Sequence, residues 1–238
     1  MVARYQRVVY KLSGEYFGTN ESLAKDRFDK VCRSIELLVA VGVQPCVVVG
    51  GGNIFRGNRS EIWNINNVDA DLVGMMATAV NASLLSAMLE ARGEVRPVIM
   101  SNGPCQALGQ KWTSRGARNV LDDGAVPLVA GGGGRPLVST DYPAVGFAKE
   151  IGAEAVLMAK SGTDGVYNKD PNVHSDAKFL ARLSLGRALQ GDIQVMDRVA
   201  LQTASDQRIT IHVFSAEDET LPVRIVKGED HGTTLYPS

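Results

Sequence analysis

The sequence predicts an α/β fold built around a parallel β-sheet. Short, continuous apolar runs rich in β-branched residues, such as residues 46–49 (CVVV), are typical of parallel strands that helices cover on both faces. Apolar residues recur at helical spacing over residues 25–41, between that run and a first strand at residues 7–12. A strand, a helix and a second strand in this order form a right-handed crossover. The carboxyl ends of both strands are therefore expected at the same edge of the sheet.

The same alternation continues along the rest of the chain. We predict a loop at residues 16–21 and a polar passage at residues 57–67. Further helices are predicted at residues 68–92, 113–121, 142–151, 183–190 and 197–207, and further strands at residues 94–100, 125–130, 153–158 and 209–214. Because neither a linker nor an internal repeat interrupts this order, residues 1–238 are expected to form a single domain.

The composition narrows the possible partners and the compartment. A formal net charge of -1, with 45% hydrophobic and 21% charged residues, gives no electrostatic reason to expect nucleic acid or an anionic membrane surface. Cys32, Cys46 and Cys105 are widely spaced and form no CxxC pair, which favours reduced thiols over disulfides or a zinc site. No apolar run reaches the roughly 18 residues of a membrane span. We therefore predict a cytoplasmic protein with small-molecule partners, no nucleic acid and no membrane.

Two glycine runs are candidate phosphate-binding loops. Each follows a predicted strand and precedes an arginine: residues 50–52 before Arg56 form the first glycine loop, and residues 131–134 before Arg135 form the second. Glycine lets an anion approach the backbone N–H groups, and an arginine adds donors that fit phosphate oxygens. A turn that only clears room for helix packing is the alternative for a single run. Two such loops in one sheet can hold two phosphorylated groups facing each other, which is the geometry of phosphoryl transfer.

Lysines at the carboxyl ends of two other strands support that chemistry. Lys11 lies at the end of the first strand, and Lys160 follows the strand at residues 153–158. Ligands of open α/β sheets gather at these strand ends, where a lysine is a suitable point charge for a phosphate. Solvated surface lysines are the alternative.

Two acidic residues and one turn are placed to contact ligands at the same edge. Asp141, at the start of a predicted helix, is either an N-cap or a carboxylate that orients a lysine. Asp71 shares one helix face with Gly74 and Thr78, so this face is expected to lie against a ligand. The turn at residues 164–171 carries an aromatic residue and an acid, and it is suited to a nucleoside.

Seven motifs spread over nearly the whole chain resemble those of one family. They are KLSGE at residues 11–15, GGGNIFRG at 50–57, DLVGMMAT at 71–78, STD at 139–141, MAKSGTDGVYNKDP at 158–171, VMD at 195–197 and GTTL at 232–235. Their order and spacing resemble the bacterial uridylate kinases of the amino acid kinase superfamily. GGGNIFRG followed by DLVGMMAT is specific for uridylate kinases, whereas KLSG and DGVY alone indicate only the superfamily.

The resemblance implies a fold, a reaction and an assembly. The fold would be a three-layer α/β/α sandwich with a mostly parallel, eight-stranded sheet. The reaction would be that of a UMP kinase, which transfers the γ-phosphoryl group of ATP to UMP in pyrimidine nucleotide biosynthesis, with both substrates end to end across the carboxyl edge of the sheet. Mg²⁺ would arrive with the nucleotide, and no residue is predicted as a metal ligand. A homohexamer under allosteric control is implied as well.

The resemblance also assigns roles to individual residues. The catalytic group comprises Lys11, Lys160, Asp141 and Asp197. The residues expected to contact ATP are Lys11, Ser13, Gly14, Gly52, Arg56, Ser161, Tyr167 and Asp170. The residues expected to contact UMP are Gly51, Asp71, Gly132, Gly133, Gly134, Arg135 and Ser139. Asp71 is expected on the UMP ribose, and Asp141 and Asp197 are expected to orient the lysines.

The second glycine loop departs from the family pattern. The family usually has GTGNP where this chain has GGGRP at residues 132–136. Gly133 therefore stands in place of a threonine hydroxyl, and Arg135 in place of an asparagine amide, on the UMP side. Arg135 is then either a solvated loop residue or an added phosphate clamp. Residues 60–68 also differ from the usual family sequence.

Two other functions are compatible with parts of this pattern. One is a different kinase of the superfamily, acting on a carboxylate, a carbamate or a small phosphate; the other is a non-catalytic member that binds a nucleotide or an anion. The motif GGGNIFRG together with Asp71 argues against the first. The presence of Lys11, Lys160 and Asp141 together argues against the second, since binding alone does not need all three.

Overall fold

The structure is a computed structural model that describes residues 3–19, 22–55, 60–136, 139–191, 193 and 195–237. The strands are β1 (Arg7–Leu12), β2 (Gly18–Thr19), β3 (Ser22–Leu23), β4 (Gln44–Val49), β5 (Pro97–Ser101), β6 (Gln110–Lys111), β7 (Val126–Ala130), β8 (Ala155–Lys160), β9 (Arg182–Ser184), β10 (Thr210–Ser215) and β11 (Thr233–Tyr236). The α-helices are α1 (Lys25–Ala40), α2 (Ser60–Trp63), α3 (Asn67–Arg92), α4 (Ser114–Asp122), α5 (Asp141–Ile151), α6 (Leu185–Gln190), α7 (Arg198–Gln207) and α8 (Leu221–Val226). Two 3₁₀ helices span Gly14–Phe17 and Gly103–Leu108.

A single mostly parallel sheet contains nine of these strands. Their order is β6-β5-β7-β4-β1-β8-β10-β11-β9, and every neighbouring pair from β6 to β10 is parallel. β11 pairs antiparallel with β10, and β9 pairs parallel with β11. The carboxyl ends of β1, β4, β7 and β8 therefore meet at one edge, as the crossover argument predicts.

Helices cover both faces of this sheet. On one face, Val8 and Leu12 of β1 belong to a buried cluster with Phe28 of α1 and Leu85 of α3. On the other face, Val9 of the same strand belongs to a second buried cluster, which includes Ala144 and Phe147 of α5 and Ala204 of α7. Because successive side chains of a strand point to opposite faces, each central strand contributes to both cores. The predicted α/β fold with three layers is confirmed.

The helix α3 is the longest element and lies beside the ligand edge. Asn66 caps its amino end by accepting a hydrogen bond from the N–H of Asp69 (2.9 Å), and Gly93 ends it with a left-handed φ of 73°. The helix has 26 residues, and an 18-residue stretch of it has a mean hydropathy of 1.7, so by length and composition alone it could also cross a membrane. Half of that stretch is buried inside the protein. Its buried side chains include the polar Asn81, whose amide donates hydrogen bonds to the Gly50 carbonyl and to Asn53.

Several predicted elements differ from the observed ones. The predicted loop at residues 16–21 is wrong at residues 16–19, which form the end of the 3₁₀ helix Gly14–Phe17, with Tyr16 and Phe17 fully buried, and the strand β2. Residues 20 and 21 lie outside the described residues. Among the described residues the main sheet has nine strands rather than the expected eight. Its edge strands β6 and β9, with two and three residues, are too short for a sequence pattern to reveal. The helix predicted at 183–190 begins only at Leu185, because the residues before it form β9. No sequence pattern predicted α8 or β11.

The prediction that the three cysteines are reduced thiols agrees with the structure. Cys32, Cys46 and Cys105 are free and buried. Burial raises the pKa of the Cys32 thiol to about 11, so this group is neutral at ordinary pH.

Candidate active site

A buried carboxylate between two lysines forms the centre of the site. Lys11 is on β1 and Lys160 is on the neighbouring strand β8, and α5 begins with Asp141. One oxygen of Asp141 lies 2.5 Å from the Lys11 Nζ, and the other lies 3.6 Å from the Lys160 Nζ. Lys11 and Asp141 are buried, whereas the Lys160 side chain is 23% exposed. The amino end of α5 thus brings one carboxylate to two strand ends.

The charges of this cluster stabilise each other. Burial by itself raises the pKa of Asp141, but the positive charges of Lys11 and Lys160 outweigh that effect and hold the pKa below its usual value. Burial and the charge of Lys11 lower the pKa of Lys160, and the attraction of Asp141 and Asp197 opposes this shift without reversing it. Asp141 is therefore ionised at neutral pH, and an anionic ligand beside Lys160 would stabilise its ammonium form.

Close backbone contacts explain the glycines of the first loop. A Cβ atom on Gly14 would lie 2.2 Å from the Gly52 nitrogen, and one on Gly50 would lie 2.5 Å from the Gly14 nitrogen. A Cβ atom on Gly51 would lie 2.7 Å from the carbonyl oxygen of Gly74 on α3. The packing alternative therefore applies at Gly50 and Gly51, and the same contacts bring the loops after β1 and β4 together beside the cleft.

Backbone conformation explains most of the second glycine loop. Gly131, Gly132 and Gly134 have φ values of 83°, 50° and 75°, in the region that favours glycine. The amide of Asn102 donates to the Gly132 carbonyl (2.9 Å), which fixes the loop from the side of β5. Gly133 has no such φ requirement, and a Cβ atom there would lie 3.3 Å from the Cβ of Pro143.

The two glycine loops and Lys11 border one cleft of about 460 Å³, and Lys160 is not among its lining residues. The predicted site residues that line it are Lys11, Ser13, Gly14, Gly51, Gly52, Asp71, Gly132, Gly133, Arg135, Ser139 and Asp141. Gly74 and Thr78 line it as well, so the predicted ligand-facing stripe of α3 does face the cleft. Arg135 is exposed at its border. Arg56 lies outside the described residues.

Asp197, the fourth predicted catalytic residue, is linked to the site by a hydrogen bond from Ser139. The Ser139 hydroxyl donates to Asp197 and accepts a hydrogen bond from the N–H of Asp141 (3.1 Å). Asp197 also caps α7, because its other oxygen accepts from the N–H of Ala200 (2.6 Å). Ser139 was predicted to contact UMP; in the structure its hydroxyl bridges the Asp197 carboxylate and the backbone N–H of Asp141.

A second cavity of about 330 Å³ opens beyond the end of β8. Tyr167 and Asp170, the two residues of the turn predicted to suit a nucleoside, both line it. The Tyr167 hydroxyl donates to Asp164 (2.9 Å), and its ring stands edge-on to Phe179 with the centroids 5.4 Å apart. Ser161 lies in the bend after β8, and Gly134 in the turn before Arg135.

Other residues of the site were not assigned a role from sequence. Glu15, Phe55 and Met75 line the cleft. Asn53 and Asn81 are buried polar residues beside the first glycine loop. A polar residue inside an apolar helical stripe is a sequence signal for such a contact, but it does not indicate the partner.

The site combines two glycine loops suited to phosphates with two lysines that share one carboxylate, at the carboxyl edge of an α/β sheet. This combination is typical of phosphotransferases. The sequence model of the amino acid kinase family matches residues 6–215. A uridylate kinase of Frankia alni is 39% identical over 98% of this chain and 92% of its own length, and one of Nitrobacter winogradskyi is 39% identical over 97% of each. The crystal structure of a UMP kinase from Bacillus anthracis, 35% identical, superposes with a TM-score of 0.93 over 98% of this chain and 96% of that one. The chain belongs to the amino acid kinase family, among its uridylate kinases.

Proposed function

We propose that this protein transfers the γ-phosphoryl group of ATP to UMP, yielding ADP and UDP, as a step of pyrimidine nucleotide biosynthesis. The observation that carries the proposal is the buried Asp141 between Lys11 and Lys160, at the border of a cleft formed by two glycine loops. The uridylate kinase and UMP kinase names of the relatives support UMP as the acceptor.

In this proposal, ATP extends from the second cavity to the lysine pair. Tyr167 and Asp170 would hold the adenosine, and Lys11 and Lys160 would contact the phosphates. Ser13, Gly14, Gly52, Ser161 and Arg56 complete the proposed donor set. The position of Lys160 at the end of β8, immediately before the segment that lines the second cavity, supports this arrangement.

UMP would occupy the cleft between α3 and the second glycine loop. Asp71 would accept hydrogen bonds from ribose hydroxyls, because its carboxylate borders the cleft. The acceptor phosphate and base would be held by Gly51, Gly132, Gly133, Gly134, Arg135 and Ser139.

The chemistry requires positioning and charge neutralisation. An oxygen of the UMP phosphate would attack the γ-phosphorus while the bond to the β–γ bridging oxygen breaks, so that ADP leaves. Lys11 and Lys160 would stabilise the charge of the group in transfer. Asp141, ionised and paired with both lysines, would hold them in place. The negative charge of Asp197, which accepts a hydrogen bond from Ser139, would favour the ammonium form of Lys160.

Mg²⁺ would be bound mainly through the nucleotide phosphates. It usually keeps several waters and takes one or two carboxylates together with substrate phosphates. Within the described residues, no group of three or more His, Cys, Asp or Glu side chains is arranged to hold a metal ion. Both oxygens of Asp141 already contact lysines. The metal is therefore proposed to enter with ATP and to offset part of the negative charge of the phosphates.

We also propose a cytoplasmic homohexamer of single-domain subunits under allosteric control. The outward face of α3 exposes Val73, Met76 and Val80 by 43%, 56% and 49%, and Ile62 and Trp63 of α2 are exposed as well. A contiguous apolar face of this kind is typical of a subunit interface.

Light scattering after size-exclusion chromatography should give a hexamer mass, and Val80→Glu should lower that mass. The exposed Val199→Glu on α7 should leave the mass unchanged; a monomer for the unaltered chain would contradict the proposal.

The test of the proposed reaction is a coupled ADP-release assay. The acceptors are UMP, CMP, dTMP, glutamate and carbamate, each with MgATP. We expect kcat/KM to be highest with UMP. Preference for glutamate or carbamate would instead indicate another kinase of the superfamily, and ATP binding without ADP release with any acceptor would indicate a non-catalytic member.

A further inference from the structure

One turn of α3 holds the second glycine loop through a buried hydroxyl. The Thr78 Oγ1 accepts a hydrogen bond from the Gly131 N–H (2.7 Å) and donates to the carbonyl of Met75 (2.7 Å). Thr78 is 3% exposed, so its hydroxyl gives the Gly131 N–H a partner where burial excludes bulk water. A buried N–H group without a partner is unfavourable, and this bond therefore fixes the point at which β7 passes into the loop.

The next turn of α3 holds the first glycine loop in a similar way. Asn81 is fully buried, and its amide donates to the carbonyl of Gly50 (2.8 Å). It also exchanges two hydrogen bonds with the amide of Asn53, at 2.8 and 3.2 Å. The two asparagines thus hold Gly50, at the start of the first glycine loop, and Asn53, which directly follows it, against the helix.

Direct contact adds to these hydrogen bonds. A Cβ atom on Gly51 would lie within 2.8 Å of the Ala77 Cβ and the Thr78 nitrogen, so the loop backbone rests on the helix. The first and second glycine loops, which follow different strands, are consequently held by residues 78 and 81 of the same helix.

We infer that Thr78 and Asn81 are positioning residues that set the spacing of the two glycine loops, and thereby the spacing of the two phosphates in the transfer step. The inference rests on the proposed phosphoryl transfer. Reacting atoms must lie about 3–3.5 Å apart and in line, and a misplacement of about 1 Å lowers the rate roughly 10²-fold. Neither residue needs to contact a substrate for this role, since each acts through a loop backbone.

The first test separates the Thr78 hydroxyl from its shape. Thr78→Val keeps the branched shape and leaves the Gly131 N–H without its partner, whereas Thr78→Ser keeps the hydroxyl. We expect Thr78→Val to raise the KM for UMP about tenfold with a smaller change in the KM for ATP, because the second loop is on the proposed UMP side. Thr78→Ser should restore the KM to within about threefold of the unaltered protein.

The second test addresses the first glycine loop. Asn81→Asp has nearly the same volume but cannot donate to the Gly50 carbonyl. Since this loop lies between the two proposed substrates, we expect kcat/KM to fall about tenfold or more for both UMP and ATP. The matched control is Ser86→Ala, which removes a buried hydroxyl from the same helix whose partner is Glu90. It should change neither KM by more than about twofold.

Hydrogen exchange supplies a readout that is independent of turnover. The amide of Gly131 and its neighbours should exchange faster in Thr78→Val than in Thr78→Ser, and residues 50–53 should exchange faster in Asn81→Asp than in the unaltered protein.

If Thr78→Val does not fold, Asn81→Asp and Thr78→Ser still provide the test. Unchanged kinetics in an active, folded Thr78→Val or Asn81→Asp would overturn the inference. Kinetic losses equal to those of Ser86→Ala, or lost activity in Thr78→Ser, would do the same. An unaltered protein that releases no ADP with UMP would overturn the proposed function, and the inference with it.

Discussion

The substitution Asp141→Asn tests the centre of the site most directly. It keeps the shape of the side chain but removes the negative charge that lies 2.5 Å from the Lys11 Nζ and 3.6 Å from the Lys160 Nζ. Two lysine charges then face each other with no carboxylate between them. Removing one partner of a buried ion pair usually lowers the free energy of unfolding by about 3–5 kcal/mol. Because Lys160 is 23% exposed and an amide can still bond, we expect a loss near the lower limit, about 3 kcal/mol.

The same substitution has a predictable effect on catalysis. We expect kcat for ADP release to fall at least about 10²-fold, because the lysines are no longer held where charge develops in the transfer step. Asp141 raises the pKa of Lys160, so its removal lowers that pKa further. The ammonium form, and with it the activity, should therefore disappear at lower pH than in the unaltered protein as pH increases. The measurement is kcat between about pH 6 and 10, with urea unfolding for stability.

A surface ion pair provides the matched control. Asp122 pairs with Arg7 at 2.6 Å, but its side chain is 62% exposed. Asp122→Asn should lower the free energy of unfolding by no more than about 1 kcal/mol and leave the pH profile unchanged. If Asp141→Asn keeps kcat within about threefold of the unaltered protein and does not move the alkaline limb, the proposed role of Asp141 is wrong.

Three further substitutions test the donor site, the acceptor site and the core. Lys160→Ala should lower kcat roughly 10²-fold with little change in the KM for UMP, because its charge matters most as the phosphoryl group separates; near-normal turnover would remove Lys160 from the mechanism. Asp71→Ala should weaken UMP by about 1.5–3 kcal/mol, seen as a raised KM for UMP, and a raised KM for ATP instead would mean that the two substrate ends are reversed. The side chain of His212 is hydrogen-bonded to the Tyr5 hydroxyl. Burial lowers the pKa of His212 to about 4; the charge of Arg4 adds to this shift, and that of Asp230 opposes it. The unfolded chain then binds the proton more tightly, so stability is full above about pH 6.5 and falls by about 3 kcal/mol as pH drops to about 4. Urea unfolding of the unaltered protein and of His212→Asn should show this difference in pH dependence, and identical dependence would contradict it.

Local sequence patterns were sufficient for the parallel core of the fold. The apolar runs of β4 and β7 and the apolar face of α1 are short-range signals, and each gave an element within a few residues of its observed bounds. The antiparallel strand β11 and the edge strand β9 carry no comparable signal. They are short, and their place in the sheet depends on pairing with residues far away in the chain.

In the site, too, the features with a local sequence signal could be predicted, whereas the long-range contacts could not. The glycine loops and strand-end lysines could be located from sequence because parallel strands bring their carboxyl ends together. The hydrogen bonds that fix them could not. Thr78 and Gly131 are 53 residues apart in the chain, and Ser139 and Asp197 are 58 apart. A periodic pattern identifies which helix face is buried, but it does not identify which loop backbone a hydroxyl on that face will reach.

The second glycine loop shows how a departure from a family pattern can be interpreted from conformation. Gly131, Gly132 and Gly134 have positive φ values, so glycine is favoured there by the backbone itself. Gly133 lacks that requirement, and a Cβ atom would meet only the Pro143 side chain, at 3.3 Å. The absence of a threonine at Gly133 is therefore not imposed by the turn. Arg135, two residues further on, is exposed at the border of the same cleft. If Arg135 is the phosphate clamp rather than a solvated loop residue, its charge would act on the UMP phosphate in place of the hydroxyl. The KM for UMP should then depend more strongly on salt than it would with a hydroxyl contact, and Arg135→Asn should remove that dependence.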